Sequence, residues 1–190
     1  MARAAAPKRR LTRLDWFEAA LDALMQEGIA GVRIERLAGE LGVTRGSFYH
    51  HFKNRRELLH DLLEHWLQVS TVAIRDEVGA LGLDPVNTLL VLSRMIRHRG
   101  GSTFDVAFRA WAVHDEMARD YVARADEIRL AFTKPLFEAL GFDDLDAENR
   151  ARLYLYYEMG EPTFLAPQSR ETEDALIAKR IELLTRRDGD

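Results

Sequence analysis

The chain has 190 residues, of which 47% are hydrophobic and 31% charged, a composition typical of a soluble globular protein with one or two domains. It contains no cysteine, which excludes disulfide bonds and thiolate metal sites and is compatible with a reducing compartment. No apolar run approaches about 18 residues, and the basic residues 1–13 lack an apolar core, so we expect a cytoplasmic protein without a membrane span or secretory signal.

The net charge of −4 conceals opposite charges in the two parts of the chain. Residues 1–56 hold 11 Lys and Arg against 6 Asp and Glu, whereas residues 57–190 hold 16 against 25. A basic head on an acidic body suggests that only the head meets a polyanion, although a charge run is more often a solvated face. Charge alone therefore leaves both interpretations open.

Apolar residues recur at helical spacing throughout the chain. This spacing predicts helices over residues 11–27, 34–41, 44–51, 55–78, 85–98, 103–113, 116–140, 147–164 and 170–186. Gly28 is the expected C-cap of the first helix, Thr44 the N-cap of the third, and Pro135 predicts a kink. Because no strand alternation or internal repeat is found, we predict an all-α fold with about nine helices.

The segment of residues 37–59 has the pattern of a helix-turn-helix. Ala38 supplies a small side chain where two helices cross closely, and Gly42 tolerates the positive φ of a tight turn. The apolar residues that lock the second helix against the first are Leu37, Val43 and Phe48. The side chains left outside on the second helix suit a major groove, because they are polar, aromatic or basic: Thr44, Arg45, Ser47, Tyr49 and His50.

A metal site and a catalytic site are the alternatives for this segment. His50 and His51 are adjacent and project about 100° apart on a helix, and the next two histidines are five residues apart, so neither pair shares a face. No cluster of carboxylates completes a ligand set, and no hydrolase, nucleotide-binding or zinc-protease motif occurs. We therefore expect no metal, no cofactor and no catalytic residue, and a protein that is not an enzyme.

The run IERLAGELGVTRGSFYHHFKNRRELL, residues 34–59, resembles the N-terminal domain of the TetR (tetracycline-repressor-like) family of bacterial transcriptional regulators. The shared features are a helix, a Gly-Val-Thr turn, a short recognition helix ending in Tyr-x-His-Phe, and a basic residue before Leu-Leu. The resemblance begins near Leu11 and is carried by the first third of the chain. Arg55 is a departure, because the family most often has lysine there; the charge is kept but the compact ammonium is lost.

The resemblance implies the organisation of the chain. It implies a helix-turn-helix DNA-binding domain over residues 11–56 and a helical effector-binding and dimerisation domain over residues 57–190, with a linker helix that starts near Arg55. Residues 1–10 would be a basic, disordered arm that either follows DNA phosphates and the minor groove or only aids solubility.

The resemblance also implies roles for individual residues. Tyr49 and Lys53 match positions that hold DNA phosphates, and Thr44 matches the helix-start residue that meets a phosphate. Arg45, Ser47 and His50 would face the groove, with Arg45 able to pair bidentately with guanine. Phe48 and Phe52 are assigned to the core of the head.

The body is expected to supply a homodimer, since one helix-turn-helix reads only a few base pairs. By resemblance, the last two predicted helices would form a two-fold interface, although their apolar residues also fit an intramolecular core. The middle helices would hold an unidentified small-molecule effector in a pocket lined by Leu92, Met95, Phe104, Phe108, Trp111, His114 and Phe164. His98 and Arg109 are further polar candidates, and the aromatic stripe fits a plain core equally well.

The implied function is that of a repressor that binds a palindromic operator as a dimer and is released when an effector shifts its conformation. Activation of transcription is the less favoured alternative to repression. A ligand-binding or interaction module whose head no longer binds DNA is the rival interpretation, and an enzyme is a third.

Overall fold

The computed structural model describes residues 10–165 and 169–187, so the basic arm predicted over residues 1–10 lies outside them except for Arg10. The α-helical segments are α1 (Arg13–Glu27), α2 (Ile34–Glu40), α3 (Arg45–Phe48), α4 (Arg55–Leu67), α5 (Ala73–Gly79), α6 (Pro85–His98), α7 (Gly101–Ala112), α8 (Glu116–Ala139), α9 (Asp144–Gly160) and α10 (Arg170–Thr185). A π turn, Gln68–Val72, joins α4 to α5 as one continuous helix, which leaves nine helices within the described ranges. Because these ranges contain no strand, the all-α prediction is confirmed.

Side chains at the helix ends explain where several helices begin. Thr12 and Asp15 form a capping box at the start of α1, and Gly28 ends this helix with φ of +67°. Asp84 caps α6 by accepting a bond from the Asn87 backbone N–H, with a proline at the first helical position. The start predicted for α9 at residue 147 is wrong by three residues, because Asp143 caps the helix through the Asp146 N–H at 2.9 Å.

The chain forms two compact units that divide between Leu62 and Leu63, within α4. In the first unit, aromatic residues build the core. Trp16 meets Phe48 edge to face with ring centroids 5.3 Å apart, and Phe48 lies 5.3 Å from Phe52. Phe48 and Phe52 are both buried, which confirms their assignment to the core of the head.

In the second unit, α9 and α10 each bury one face in a core shared with α5, α6 and α8. The buried members include Ile74, Leu89, Phe137, Ala151, Tyr154, Ile177 and Ile181. A separate aromatic group places Trp66 over Phe108 with stacked rings 4.6 Å apart. Pro135 lies inside α8, which continues through it. No helix in the described ranges combines the length and apolar character needed to cross a membrane.

Candidate nucleic-acid interface

The turn between α2 and α3 is built on a glycine. Gly42 adopts φ of +66°, a conformation that strains any residue with a Cβ atom. Its N–H donates to the Gly39 carbonyl at 3.1 Å, and the next N–H, that of Val43, donates to the Ala38 carbonyl at 2.9 Å. The turn is therefore a hydrogen-bonded end to α2, and it carries the chain directly into α3, as the sequence predicts.

The helix after this turn is short. α3 comprises four residues, Arg45–Phe48, and turn residues continue it to His51. Thr44 occupies the N-cap position with extended backbone, but its hydroxyl accepts no capping hydrogen bond, so the prediction of a side-chain cap is wrong. As a result the Thr44 hydroxyl stays exposed and open to an external partner.

The predicted contact residues lie together on this segment and project outward. Thr44, Arg45, Tyr49, His50 and Lys53 are exposed, and Ser47 is half-buried. Tyr49 is 52% exposed, although its ring meets the buried Phe48 edge to face at 5.3 Å. Phe48 thus anchors the segment in the core of the head, and the polar atoms of the segment face solvent.

Arg45 is paired with an acidic residue of the preceding helix. Its Nη1 lies 3.1 Å from Oε1 of Glu35, and both side chains are more than half exposed. An exposed pair of this kind contributes little to stability, so the guanidinium can exchange its carboxylate partner for another acceptor.

Lys53 is held by its backbone rather than by its side chain. Its N–H donates to Glu57 Oε2 at 2.9 Å, while the Glu57 N–H donates to Asn54 Oδ1 at 3.0 Å. This reciprocal arrangement caps the start of α4 and is related to a capping box. The Lys53 ammonium remains at the exposed end of the segment.

Arg55 has a structural role that the sequence did not reveal. Its Nε donates to the Val32 carbonyl at 2.5 Å and its Nη2 to the Ile29 carbonyl at 2.7 Å. The two bonds fasten the start of α4 to the 3-10 turn Gly28–Gly31 and the residue after it. A planar, forked donor suits two neighbouring carbonyls better than an ammonium does, which accounts for arginine at this position.

The histidines of the head do not gather into a metal site. Burial lowers the pKa of His51, with further lowering from the nearby His50, Arg10 and Arg13. Its ring lies 6.4 Å from that of Trp16. Within the described ranges, no group of three or more His, Asp or Glu side chains is arranged to hold a metal ion.

Residues 17–62 match the family model described as bacterial regulatory proteins, tetR family. The resemblance to the TetR family is thus confirmed over residues 17–62. The matched range covers the helix-turn-helix and most of the first compact unit, and it includes every residue predicted to contact DNA. The matched model describes regulatory proteins.

Curated transcriptional regulators match over about a third of the chain. The chain is 35% identical over 63 residues to the uncharacterized HTH-type transcriptional regulator TtgW of Pseudomonas putida, which covers 33% of this chain and 47% of that protein. It is also 35% identical over 63 residues to the HTH-type transcriptional regulator SrpR of Pseudomonas putida, covering 33% and 30%. The chain thus spans less than half the length of these relatives.

Solved structures share the fold over at least 90% of the chain. A transcriptional regulator from Rhodococcus sp. Rha1 has a TM-score of 0.68 at 19% identity, covering 92% of this chain and 96% of that one. AmtR of Mycobacterium smegmatis has a TM-score of 0.67 at 16% identity, covering 97% and 90%. A protein from Saccharomonospora viridis in complex with choline has a TM-score of 0.69 at 17% identity, covering 90% and 95%.

The body of the chain contains a cavity beside the π turn. Its volume is about 40 Å³, and its wall is mainly apolar, with residues from the π turn and from α5 through α9. Of the seven predicted pocket residues, Leu92 lines this cavity and the other six do not.

Those six residues are dispersed over the body. Phe108 and Trp111 are buried and pack in the aromatic group with Trp66. Their rings therefore fill the space where a ligand was expected. Met95 and Phe104 are half-buried, and His114 is exposed after the end of α7. Phe164 is exposed and borders a separate surface hollow of about 630 Å³.

The two additional polar candidates are not part of the cavity wall either, although Arg109 contacts Asp105, which is. His98 is exposed at the end of α6. Arg109 donates through Nη1 to Asp126 Oδ2 at 2.9 Å and borders another surface hollow, of about 490 Å³. The cavity beside the π turn was missed because its wall is assembled from residues far apart in the sequence.

Each of the two last helices has a buried and an exposed apolar side. Tyr154 and Leu155 of α9 and Ile177 and Ile181 of α10 are buried in the body. The exposed apolar side chains of the same helices are Leu145, Leu153, Tyr156, Leu176 and Leu183. An intramolecular core therefore accounts for only part of the apolar residues of these helices.

Proposed function

We propose that the chain is a transcriptional regulator that binds double-stranded DNA through its helix-turn-helix and responds to a small molecule held in its body. The observation that carries this proposal is the segment of residues 44–53, whose polar and basic side chains project from a helix locked by Phe48. A short helix with exposed donors, preceded by a tight turn, suits insertion into a major groove.

The side chains divide into two kinds of DNA contact. Thr44, Tyr49 and Lys53 carry donors at the ends of the segment and are assigned to phosphates, which position the protein without reading sequence. Arg45, Ser47 and His50 are assigned to base edges. The guanidinium of Arg45 would leave Glu35 and pair with guanine O6 and N7, the pairing that such a fork favours.

A second copy of the chain is proposed as the protein partner. α3 is too short to read more than a few base pairs, so useful affinity requires two heads about one helical turn of DNA apart on a palindromic operator. The exposed side of α9 and α10 supports a two-fold interface, because Leu153, Tyr156, Leu176 and Leu183 would otherwise face water.

The proposed mechanism is repression relieved by an effector. An effector in the body favours one conformation of the dimer, and operator affinity falls by the difference in its affinity for the two conformations. α4 carries the chain into the π turn without a break in the helix, and the cavity borders this π turn at Thr71. The choline complex of the structural neighbour from Saccharomonospora viridis supports a small-molecule site in this fold.

DNA binding is tested with a labelled duplex from the region upstream of the chain's own gene, by fluorescence anisotropy at several salt concentrations. Affinity is expected to fall steeply as salt rises, with a slope of about −0.9 for each phosphate contact. Lys53→Ala and Tyr49→Phe should weaken binding to operator and unrelated DNA alike, whereas Arg45→Ala should mainly reduce the difference between them.

Arg94→Ala is the control, since Arg94 is an exposed basic residue of α6 with no proposed role in DNA binding or in the dimer. If wild-type protein binds neither duplex at low salt, the regulator proposal fails and the rival of a body with an inactive head is favoured. Equal losses for Arg94→Ala and Lys53→Ala would refute the assignment of the segment.

A further inference from the structure

The cavity beside the π turn has a wall that restricts the chemistry of its ligand. Its apolar surface is formed mainly by Ile74, Leu92, Ile96, Ile128, Phe132 and Leu155. A volume of about 40 Å³ exceeds the roughly 10–15 Å³ that a single water needs, so the cavity has room for a small molecule. The cavity as folded therefore suits a short molecule rather than a large fused ring system.

The acidic side chains of the wall are already neutralised by arginines. Asp105 accepts two bonds from Arg129, at 2.6 and 2.9 Å. Glu158 accepts from Arg180 at 3.1 Å and from the Ser93 hydroxyl at 2.8 Å. An anionic or cationic ligand would have to break one of these pairs or be buried without a counter-charge, and both are costly.

The one remaining charged residue of the wall is also paired. Arg75 Nη2 lies 2.7 Å from Asp76 Oδ1 on the outer side of α5. The charges of the wall therefore favour a neutral ligand.

One buried hydroxyl of the wall has no hydrogen-bond partner among the described residues. It belongs to Thr71, which is 3% exposed. Thr133 borders the same cavity and is equally buried, but its hydroxyl donates to the Arg129 carbonyl at 2.9 Å. Burying a hydroxyl without a partner costs free energy, so Thr71 is open to a partner that is not part of the chain.

The position of Thr71 in the chain is a second reason to expect an external partner for its hydroxyl. It belongs to the π turn Gln68–Val72, which interrupts the regular hydrogen bonding of an otherwise continuous helix. π turns are rare and occur frequently at functional sites. A distorted helix, an unpartnered hydroxyl and a cavity therefore coincide at this residue.

We propose that this cavity binds a short, neutral, mainly apolar molecule that carries one hydroxyl or carbonyl group, with the Thr71 hydroxyl as its hydrogen-bond partner. This inference names the ligand class of the effector site and rests on the proposed function for its regulatory meaning. The binding itself is a property of the body and is measured without DNA.

The test uses 1-butanol as the probe, with butyrate and butylammonium as charged analogues of the same length. Binding is followed by the NMR shifts of the ¹³C-labelled methyl groups of Ile74, Leu92 and Ile96 in the full chain at pH 7. We expect 1-butanol to shift these methyl signals in a saturable manner. Equally tight binding of either ion would overturn the proposal of a neutral ligand, as would an absence of saturable shifts with 1-butanol.

Two isosteric variants separate the hydrogen bond from the shape of the cavity. Thr71→Val should weaken 1-butanol binding about fivefold, the effect of one lost hydrogen bond. Thr133→Val, the matched control in the same wall, should change it less than twofold, because that hydroxyl is already bonded within α8. Equal effects of the two variants would contradict the role given to Thr71.

The ligand-free Thr71→Val protein gives a reading that does not depend on the probe. Its Tm should rise above that of the wild type, since the variant removes a buried hydroxyl that has no partner. A lower Tm would mean that the hydroxyl is bonded in the folded chain, and the proposal would fail. Failure of the butanol titration would not affect the proposal of DNA binding, which has its own assay, so the two proposals are judged separately.

Discussion

Glu35 of α2 holds the guanidinium of Arg45 of α3, with Glu35 Oε1 3.1 Å from Arg45 Nη1. The pair joins the two helices of the helix-turn-helix across their exposed side. It places a negative charge beside the residue that is proposed to read a base, so DNA and Glu35 compete for the same donor.

This competition gives the first prediction. Glu35→Gln should raise DNA affinity about two- to fivefold, since an exposed pair of this kind is worth about 0–1 kcal/mol and one source of repulsion from the phosphates is removed. Fluorescence anisotropy with the upstream duplex measures the change. Glu40→Gln, on the same helix but paired with Arg36, is the control and should leave affinity closer to that of the wild type. A fall in affinity for Glu35→Gln would show that the pair positions Arg45 for DNA.

The second prediction concerns the core beneath α3. Phe48 is fully buried between Trp16 and Phe52, so Phe48→Ala should lower the free energy of unfolding of the head by about 3–5 kcal/mol. Denaturation followed by tryptophan fluorescence and circular dichroism measures this loss. Phe48→Leu keeps most of the volume and should be milder. If both variants were as stable as the wild type, the assignment of Phe48 to the core would be wrong.

The third prediction concerns Arg55. Arg55→Lys should lower the stability of the head by about 1–2 kcal/mol, because one ammonium cannot replace both bonds to the Val32 and Ile29 carbonyls. Urea denaturation measures the loss. Arg56→Lys, the exposed neighbour, is the control and should be neutral. A strong loss of DNA affinity in Arg55→Lys protein that is fully folded would indicate that Arg55 contacts DNA directly.

The fourth prediction tests the two-fold interface. Leu183 is 69% exposed on α10, so Leu183→Glu should leave the fold of one chain intact while placing a charge in the proposed contact. Sedimentation at micromolar concentration should then show a monomer. Leu81→Glu, at an exposed leucine in the connection between α5 and α6, should keep the wild-type state. A monomeric wild type would remove the dimer from the proposed function.

The fifth prediction follows from a buried acid. Burial raises the pKa of Glu158 above the ordinary value of 4.5, against the opposing effects of the Ser93 hydroxyl and of Arg180. The folded chain therefore holds this proton more tightly than the unfolded chain does. The stability that results is present below pH 4.5 and is lost as pH rises through the folded pKa.

Glu158→Gln has no proton to lose, so its stability relative to the wild type should improve as pH rises from about 4.5 through the folded pKa. Denaturation of both proteins between pH 4 and pH 8 measures the difference. Glu182→Gln is a control of opposite sign, because Lys179 lowers the pKa of the exposed Glu182, and its effect should be small. A pH-independent difference for Glu158→Gln would mean that burial does not alter this carboxyl.

The sequence by itself determined the helices, the turn at Gly42 and the set of exposed side chains on residues 44–53. These features depend on local properties, namely the spacing of apolar residues, the caps, and a glycine where φ is positive. For the same reason the family resemblance was visible in the head, where the proposed DNA contacts lie in one short, continuous segment.

Only the tertiary structure decided which side chains meet across the fold. The Arg55 guanidinium turns toward backbone carbonyls more than 20 residues away in the chain. Phe108 and Trp111 pack with Trp66 in the core of the body, so they do not line a pocket. The cavity lies instead at Thr71, between elements that are distant in sequence. Periodicity shows that a face is apolar, but whether that face fills space or leaves a cavity depends on the shapes of the helices packed against it.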